Sequence, residues 1–303
     1  MIQAVTVIND QNKQLRLELA NPWDSEIVVQ SITGISAGKA NINNLELATL
    51  DGSVFSTARL PSRNIVITLA FDLAVDVEEV RHKTYAYFPL KKEITLVFET
   101  DHRTTAVTGH VESNEADIFQ QKETAQISII CDDPYFYADN ADYYLNGVQP
   151  QFEFPFSNES LTDPLINFGE LVYDTGTLLK YEGDVESGVI MHLHAIGNVV
   201  DFWIRNLYTG VRMEFDTGKL DQIVGDGNHD VVSSDDIYIS TMPSNKYVLL
   251  YRNGVYYNCL SMLPKMTDWL VLQRGDNMFQ YGATSGASNA QLTMQSYVIF
   301  SGV

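Results

Sequence analysis

The chain has 303 residues, enough for two ordinary domains, and carries 19 Lys+Arg against 39 Asp+Glu, a formal charge of −20. That balance, with a pI near 4.5, excludes bulk attraction to nucleic-acid phosphates or to an anionic membrane. Hydrophobic residues make up 45% and charged residues 19%, so the chain has the apolar surface for a folded core and is not an acidic disordered tail.

The start, Met1-Ile-Gln-Ala-Val-Thr-Val7, has neither a basic leader nor a small-residue cleavage site. No stretch approaches the run of ~20 apolar residues that spans a bilayer, so synthesis in a cytoplasm without a secretory address is expected. Further along, Ile65, Ile67, Leu69 and Phe71 alternate with Val66, Thr68, Ala70 and Asp72, the period of a strand. Asp76 then offers a cap for a helix with Glu78 and Glu79 in its first turn, Arg81 and Lys83 in its middle, and Pro89 as its stop. Val77, Val80, Thr84, Tyr87 and Phe88 share the face that would be buried. Two more strands follow from Ile94, Leu96 and Phe98, and from Ile127, Ile129 and Cys131.

Composition then changes. Residues 1 to 137 hold 4 of the 19 glycines and 4 of the 16 tyrosines, which marks two differently built modules: 1–137 and 138–303. Pro134, Pro150, Pro155 and Pro164 stiffen an entry segment at about 134–165. In the second module, Tyr247–Arg252, Asn253-Gly254 and Val255–Asn258 read as a hairpin, because Asn-Gly supplies the positive φ angles of a type I′ turn. Strands are also expected over 189–196, 202–207, 237–241, 269–273, 278–281 and 291–300, with no convincing helix between them. The fold class predicted is mainly β: a first module of strands around one helix, then a β-sandwich.

The candidate chemical motifs are weak. Gly34-Ile-Ser36-Ala-Gly38 matches G-x-S-x-G, but Lys39-Ala-Asn-Ile-Asn-Asn after it does not start a helix, so a Gly-rich turn is the better reading of Ser36. His192 and His194, two apart on a strand, share a face and could ligate a metal, yet no third ligand is near in sequence. Asp226, Asn228 and Asp230 open like a calcium loop that then fails, with Val231 at its sixth position and Ile237 at its twelfth. Arg274-Gly275-Asp276 fits a tight turn better than a receptor ligand. The neighbouring pairs Asp132-Asp133 and Asp235-Asp236 point to opposite faces of an extended chain and cannot share a substrate. Cys131 and Cys259, 128 positions apart and without CxxC spacing, read as buried thiols. No phosphate loop, dinucleotide fingerprint or HExxH is present, so no catalytic residue, metal or cofactor is predicted and the chain reads as a structural or binding protein.

One resemblance covers nearly the whole chain. The run Val77-Glu-Glu-Val-Arg81-His-Lys-Thr-Tyr-Ala-Tyr-Phe-Pro89, then Gly109-His-Val-Glu112, then Gln126-Ile-Ser-Ile-Ile-Cys131-Asp-Asp-Pro134-Tyr-Phe136 resembles the N-terminal module of siphophage distal tail (Dit) proteins. Ser62-Arg63-Asn64-Ile65-Val66 sits where that family has an Arg-containing strand entry. Gly225-Asp226, Asp236-Ile-Tyr-Ile-Ser240, Arg252-Asn-Gly254, Asp268-Trp269 and Arg274-Gly-Asp-Asn277 resemble its C-terminal galectin-like sandwich.

The resemblance implies a belt domain, tail-tube-like in fold, that closes a homo-hexameric ring in the virion tail tip, with assembly in the host cytoplasm. It implies as partners the tail tube protein, the tail-associated hub protein (Tal) and receptor-binding proteins, with DNA passing through a central channel unbound. The rival reading is a carbohydrate-binding module for host cell-wall saccharide, using the aromatics of the second module. Trp203 and Trp269 lie in its strand patterns and Trp23 in the other module, although such residues more commonly fill a core.

Overall fold

A computed structural model describes residues 1–22, 27–46, 51–71, 76–119, 122–150, 169–172 and 176–303, with backbone alone at 139–150 and 169–172. Trp23, Asp72, Pro155 and Pro164 lie outside these residues. The chain divides into two compact units, Met1–Asp139 with Ile299–Val303, and Asn140–Val298. The last five residues, which composition groups with the second module, thus belong to the first unit.

The first unit contains β1 (Ile2–Ile8), β2 (Gln14–Glu18), β3 (Ile27–Thr33), β4 (Asn41–Glu46), β5 (Ser53–Arg59), β6 (Arg63–Phe71), α1 (Val77–Tyr87), β7 (Glu93–Thr100), β8 (Thr104–Asp117) and β9 (Thr124–Cys131). Seven of these strands run antiparallel in the order β2–β1–β7–β8–β9–β6–β3. The long β8 holds the sheet together: residues 104–110 pair with β7 and residues 110–117 with β9. Period-two patterning sets the buried face, with Ile65, Ile67, Leu69, Ile127 and Ile129 fully buried. The helix matches its sequence signals. Asp76 accepts the backbone N–H groups of Glu78 and Glu79, and Val80, Thr84 and Phe88 are buried. Buried Asn9 accepts from the N–H groups of Gln11 and Lys13 and donates to the carbonyl of Ala86, joining the β1–β2 turn to the helix end.

Where β6 begins, Arg63 is buried and bonded to four backbone carbonyls. Its Nε donates to Pro134 at 2.7 Å, Nη1 to Gly34 and Ser36 at 2.6 Å each, and Nη2 to Ser301 at 2.7 Å. Phe136 covers the guanidinium, its ring centroid 4.7 Å from Cζ. Burial lowers the arginine's pKa from its ordinary value. The turn it grips needs Gly34: φ is +82° there, and a Cβ would lie 2.0 Å from the carbonyl oxygen of Asn64. The returning C-terminus is fixed further by Val303, whose N–H donates to Ile35, and by Arg103, which donates to Gly302 and stacks on Phe300 at 4.0 Å.

The chain leaves the first unit along β10 (Phe136–Pro150), which pairs with β11 (Gly169–Val172). The second unit continues with β12 (Thr177–Tyr181), β13 (Ile190–Ala195), β14 (Val200–Asn206), β15 (Arg212–Phe215), α2 (Leu220–Val224), β16 (Asp236–Met242), β17 (Asn245–Arg252), β18 (Val255–Asn258), β19 (Gly275–Ser285) and β20 (Ala290–Phe300). Antiparallel β18–β17–β16–β13–β20 form one layer and β12–β19–β14–β15 another. Met191, Leu193, Ile237, Ile239, Val248 and Leu250 from the first layer and Leu179, Phe202, Ile204, Phe215 and Phe279 from the second share one core, the arrangement of a sandwich. The type I′ turn forms as predicted, with Asn253 at φ +52° and Gly254 at +83°. Two expectations are corrected. A one-turn helix, α2, is present, capped by Gly225 in the left-handed conformation. Residues 269–273 are an extended segment whose ladder contact is a single bridge, Ser187 to Leu272.

Replacing Arg63 by Met should leave four buried carbonyls without their donor and lower stability by roughly 3 kcal/mol or more, measured by denaturant unfolding. Arg63→Lys should recover only part of that loss, because an ammonium cannot span the planar fork; full recovery would contradict this account. Burial pushes the phenol of Tyr281 well above its ordinary pKa, and its hydroxyl has no partner among the described residues. Tyr281→Phe should therefore be neutral or stabilising by up to about 1 kcal/mol in the same measurement.

Candidate functional site

The structure disposes of most of the motifs by showing what each side chain holds. Ser36 lies in the turn that Arg63 grips through the carbonyls of Gly34 and Ser36, with strand β4 rather than a helix beyond it. Arg274-Gly-Asp276 enters β19, where Gly275 pairs with Tyr181 and Asp276 with Lys180. Buried Asn277 closes that entry by accepting from Gln273 N–H and donating to the carbonyls of Gln273 and Gly275. Cys131 and Cys259 are buried free thiols whose pKa burial pushes up to about 11, so neither is a thiolate at neutral pH.

His192 and His194 do share a face of β13, and the third group absent from their sequence neighbourhood comes from the adjacent strand. Asp236 lies opposite His194, and its Oδ1 is 2.8 Å from Nε2 of His192 and 2.8 Å from Nδ1 of His194. Both imidazoles thus converge on one carboxylate oxygen, and Tyr238 stacks on His192 with ring centroids 4.6 Å apart. Among the described residues no group of three His, Cys, Asp or Glu is arranged to hold a metal ion.

The calcium-like loop has a cation of its own. Arg252, at the end of β17, is 3% exposed and donates to both oxygens of buried Asp235, with Nη2 2.6 Å from Oδ2. It also donates to Asp226 Oδ2 at 2.8 Å and to the carbonyl of Asp230 at 2.8 Å. A guanidinium with five donors in a fixed plane therefore organises residues 226–235. Asp226 is held down at about 2, chiefly by the backbone and side-chain N–H groups of Asn228 and also by Arg252. The neighbouring Asp235 and Asp236 have separate tasks, one inward on Arg252 and one outward on the histidines.

Two surfaces carry the remaining interest. Hairpin β4–β5 pairs only with itself among the described residues, and every residue of both strands is exposed. Its apolar side chains Ile42, Leu45, Val54 and Phe55 are 52–63% exposed. In the second unit an open cleft of about 530 Å³ lies beside Trp203, Arg212, Glu214, Asp216 and Lys219. Neither surface was singled out in the sequence, apart from Trp203 as one of three tryptophans.

No protein-family model matches the sequence, and no curated protein matches it. Solved structures do. The crystal structure of the SPP1 Dit protein (gp 19.1), a paradigm of the hub adsorption apparatus in phages infecting Gram-positive bacteria, aligns with 98% of this chain and 99% of its own at a TM-score of 0.63 and 12% identity. The chain has a Dit-like fold. A chain of the activated phage p2 baseplate with strontium also aligns, over 96% and 97% at 11% identity, with a TM-score of 0.45. At 12% identity the likeness is one of fold and marks no particular side chain as shared.

Arg252→Ala should leave Asp235 buried and unpaired and cost about 3–5 kcal/mol in denaturant unfolding. For Asp226 the folded pKa lies below the unfolded one, so its contribution is present above about pH 4 and fades as pH falls towards 2. Asp226→Asn should flatten that acid limb of the stability curve, read by fluorescence-monitored unfolding between pH 5 and 2.

Proposed function

We propose that this protein is a structural component of a bacteriophage tail tip, a distal tail protein whose six copies form a ring between the tail tube and the tail-associated hub protein. The observation that carries the assembly reading is the hairpin β4–β5. A two-stranded ribbon is marginal in water by itself, and this one presents Ile42, Leu45, Val54 and Phe55 to solvent. Such a surface fits an arm that is covered in an assembly. The likeness to SPP1 Dit over almost the full length of both chains supports the same reading.

In this proposal residues 1–137 are the belt domain and residues 138–303 an outward galectin-like sandwich that supports receptor-binding proteins. A closed ring requires a heterologous interface whose rotation returns to its start. The belt module carries 11 Lys+Arg against 19 Asp+Glu, or −8, and the second module 8 against 20, or −12. Six copies would total about −120, which disfavours adhesion of a phosphate backbone and suits DNA that passes through without binding. The role needs no catalytic group, metal or cofactor. The protein would reside in the virion tail and be assembled in the host cytoplasm.

Native mass measurement and negative-stain imaging of the purified protein should give a six-membered ring with a central channel. Phe55→Asp combined with Val54→Asp should reduce ring formation while leaving the unfolding midpoint unchanged, because both positions are exposed. A strict monomer at high concentration, together with absence from purified virions, would overturn the proposal. A clear lytic band on a cell-wall zymogram would overturn its non-enzymatic part.

A further inference from the structure

The 530 Å³ cleft of the second unit mixes cations with the carboxylates of Asp201, Glu214 and Asp216, and Arg212 stands over Trp203, so its chemistry singles out no ligand. A neighbouring open cleft of about 750 Å³ shares Lys219 and Pro264 with it and is built differently. Lys219, Lys265, Ile223, Leu260, Leu263 and Trp269 are among the residues that line this second cleft, and none of the lining residues is Asp or Glu. We infer that the second cleft is a docking site for an acidic segment of a protein partner, which buries an apolar side chain against Ile223, Leu260 and Trp269 and sets its carboxylates at Lys219 and Lys265.

The placement of charge is the first support. Residues 138–303 carry only 8 Lys+Arg against 20 Asp+Glu. Three of those eight cations gather here: Lys219 and Lys265 line the cleft, and Lys246 stands over the Trp269 ring, 5.2 Å from its centroid. Lys219 is held at the wall by the carbonyl of Ser261, which accepts from Nζ at 3.0 Å, and by Asp216 at 3.5 Å. Lys246 and Lys265 make no ion pair among the described residues. The carboxylates adjacent in sequence are engaged elsewhere, since Asp221 accepts from the N–H of Gly227 and Asp268 lines a separate groove with Arg212. Charges beyond about 8 Å are largely screened at physiological ionic strength, so an arriving carboxylate meets these lysines before the net acidity of the module.

The apolar side chains set the class of partner. Leu260 is 43% exposed, and Met266, in the segment that follows it, is 98% exposed. Large apolar groups left in solvent and rimmed by polar ones mark surface that a protein partner covers, and an unbranched methionine adapts readily to such a partner. A phosphate polymer would leave Ile223, Leu260 and Trp269 uncovered, whereas a peptide carries acidic and apolar side chains on one strand. An open cleft also suits a segment lying across it better than a small molecule, whose sites enclose most of its surface. The inference concerns a single copy and stands whether or not the ring forms.

The test probes the full-length protein with an array of random decapeptides and then titrates the strongest binder in solution by fluorescence anisotropy. Peptides that combine Asp or Glu with Leu, Phe or Trp are expected to bind most strongly, and raising NaCl from about 0.05 M to about 0.5 M should weaken them severalfold. Lys265→Glu and Leu260→Asp, both at exposed positions, should each weaken the best binder about tenfold or more. Lys180→Glu, the same charge change on exposed β12, should leave the affinity unchanged; an equal loss there would reduce the effect to net charge and overturn the inference. So would the absence of any binder, a preference for neutral or basic peptides, binding that survives both Lys265→Glu and Leu260→Asp, or inorganic polyphosphate that binds as tightly as the best peptide.

Discussion

One guanidinium holds the first unit's distant segments in register. Arg63 bonds the turn at 34–36, the strand exit at Pro134 and Ser301 near the C-terminus, the last of them 238 positions from Arg63 in sequence. No other side chain could do this from one point: the acceptors are neutral carbonyls lying around a plane, and only arginine presents several donors in a rigid planar fork. Charge-assisted bonds to carbonyls offset the cost of burying the cation, and the face of Phe136 adds a further favourable contact. The second unit is thereby inserted in the chain between two points that the first unit fixes, the exit at 134–139 and the return at 299–303.

Arg252 solves a different problem with the same chemistry. Here the surroundings are acidic, and burying Asp235 without a cation would be prohibitive. The guanidinium neutralises Asp235 and Asp226 and satisfies the carbonyl of Asp230, which converts an irregular loop into a defined connection between the short helix and β16. In a chain with twice as many carboxylates as cations, two of its arginines are thus withdrawn from solvent to organise backbone, and the acidic surface is left correspondingly unrelieved.

Assembly asks for surface that is poor as a monomer's exterior, which the exposed ribbon β4–β5 supplies.

The sequence by itself determined what is encoded locally. Period-two alternation placed β6, β7 and β9, the Asp76 cap and Pro89 bounded α1, and Asn253-Gly254 specified its turn, because each of these depends on residues within one element. It left β4 and β5 unseen, since a ribbon exposed on both faces has no alternation to read. It also made too much of 269–273, where apolar residues are buried without a ladder. The chemistry was legible only in part. The pairing of His192 with His194 was visible, but Asp236 joins them through strand register, 42 positions on from His194. Likewise the acidic loop resembled a calcium site until Arg252 arrived from another strand, and Trp203 read as core until the sheet turned it outward over Gly282. Those outcomes depend on which strands become neighbours and on which face each side chain points, and that long-range pairing is what the tertiary structure decided.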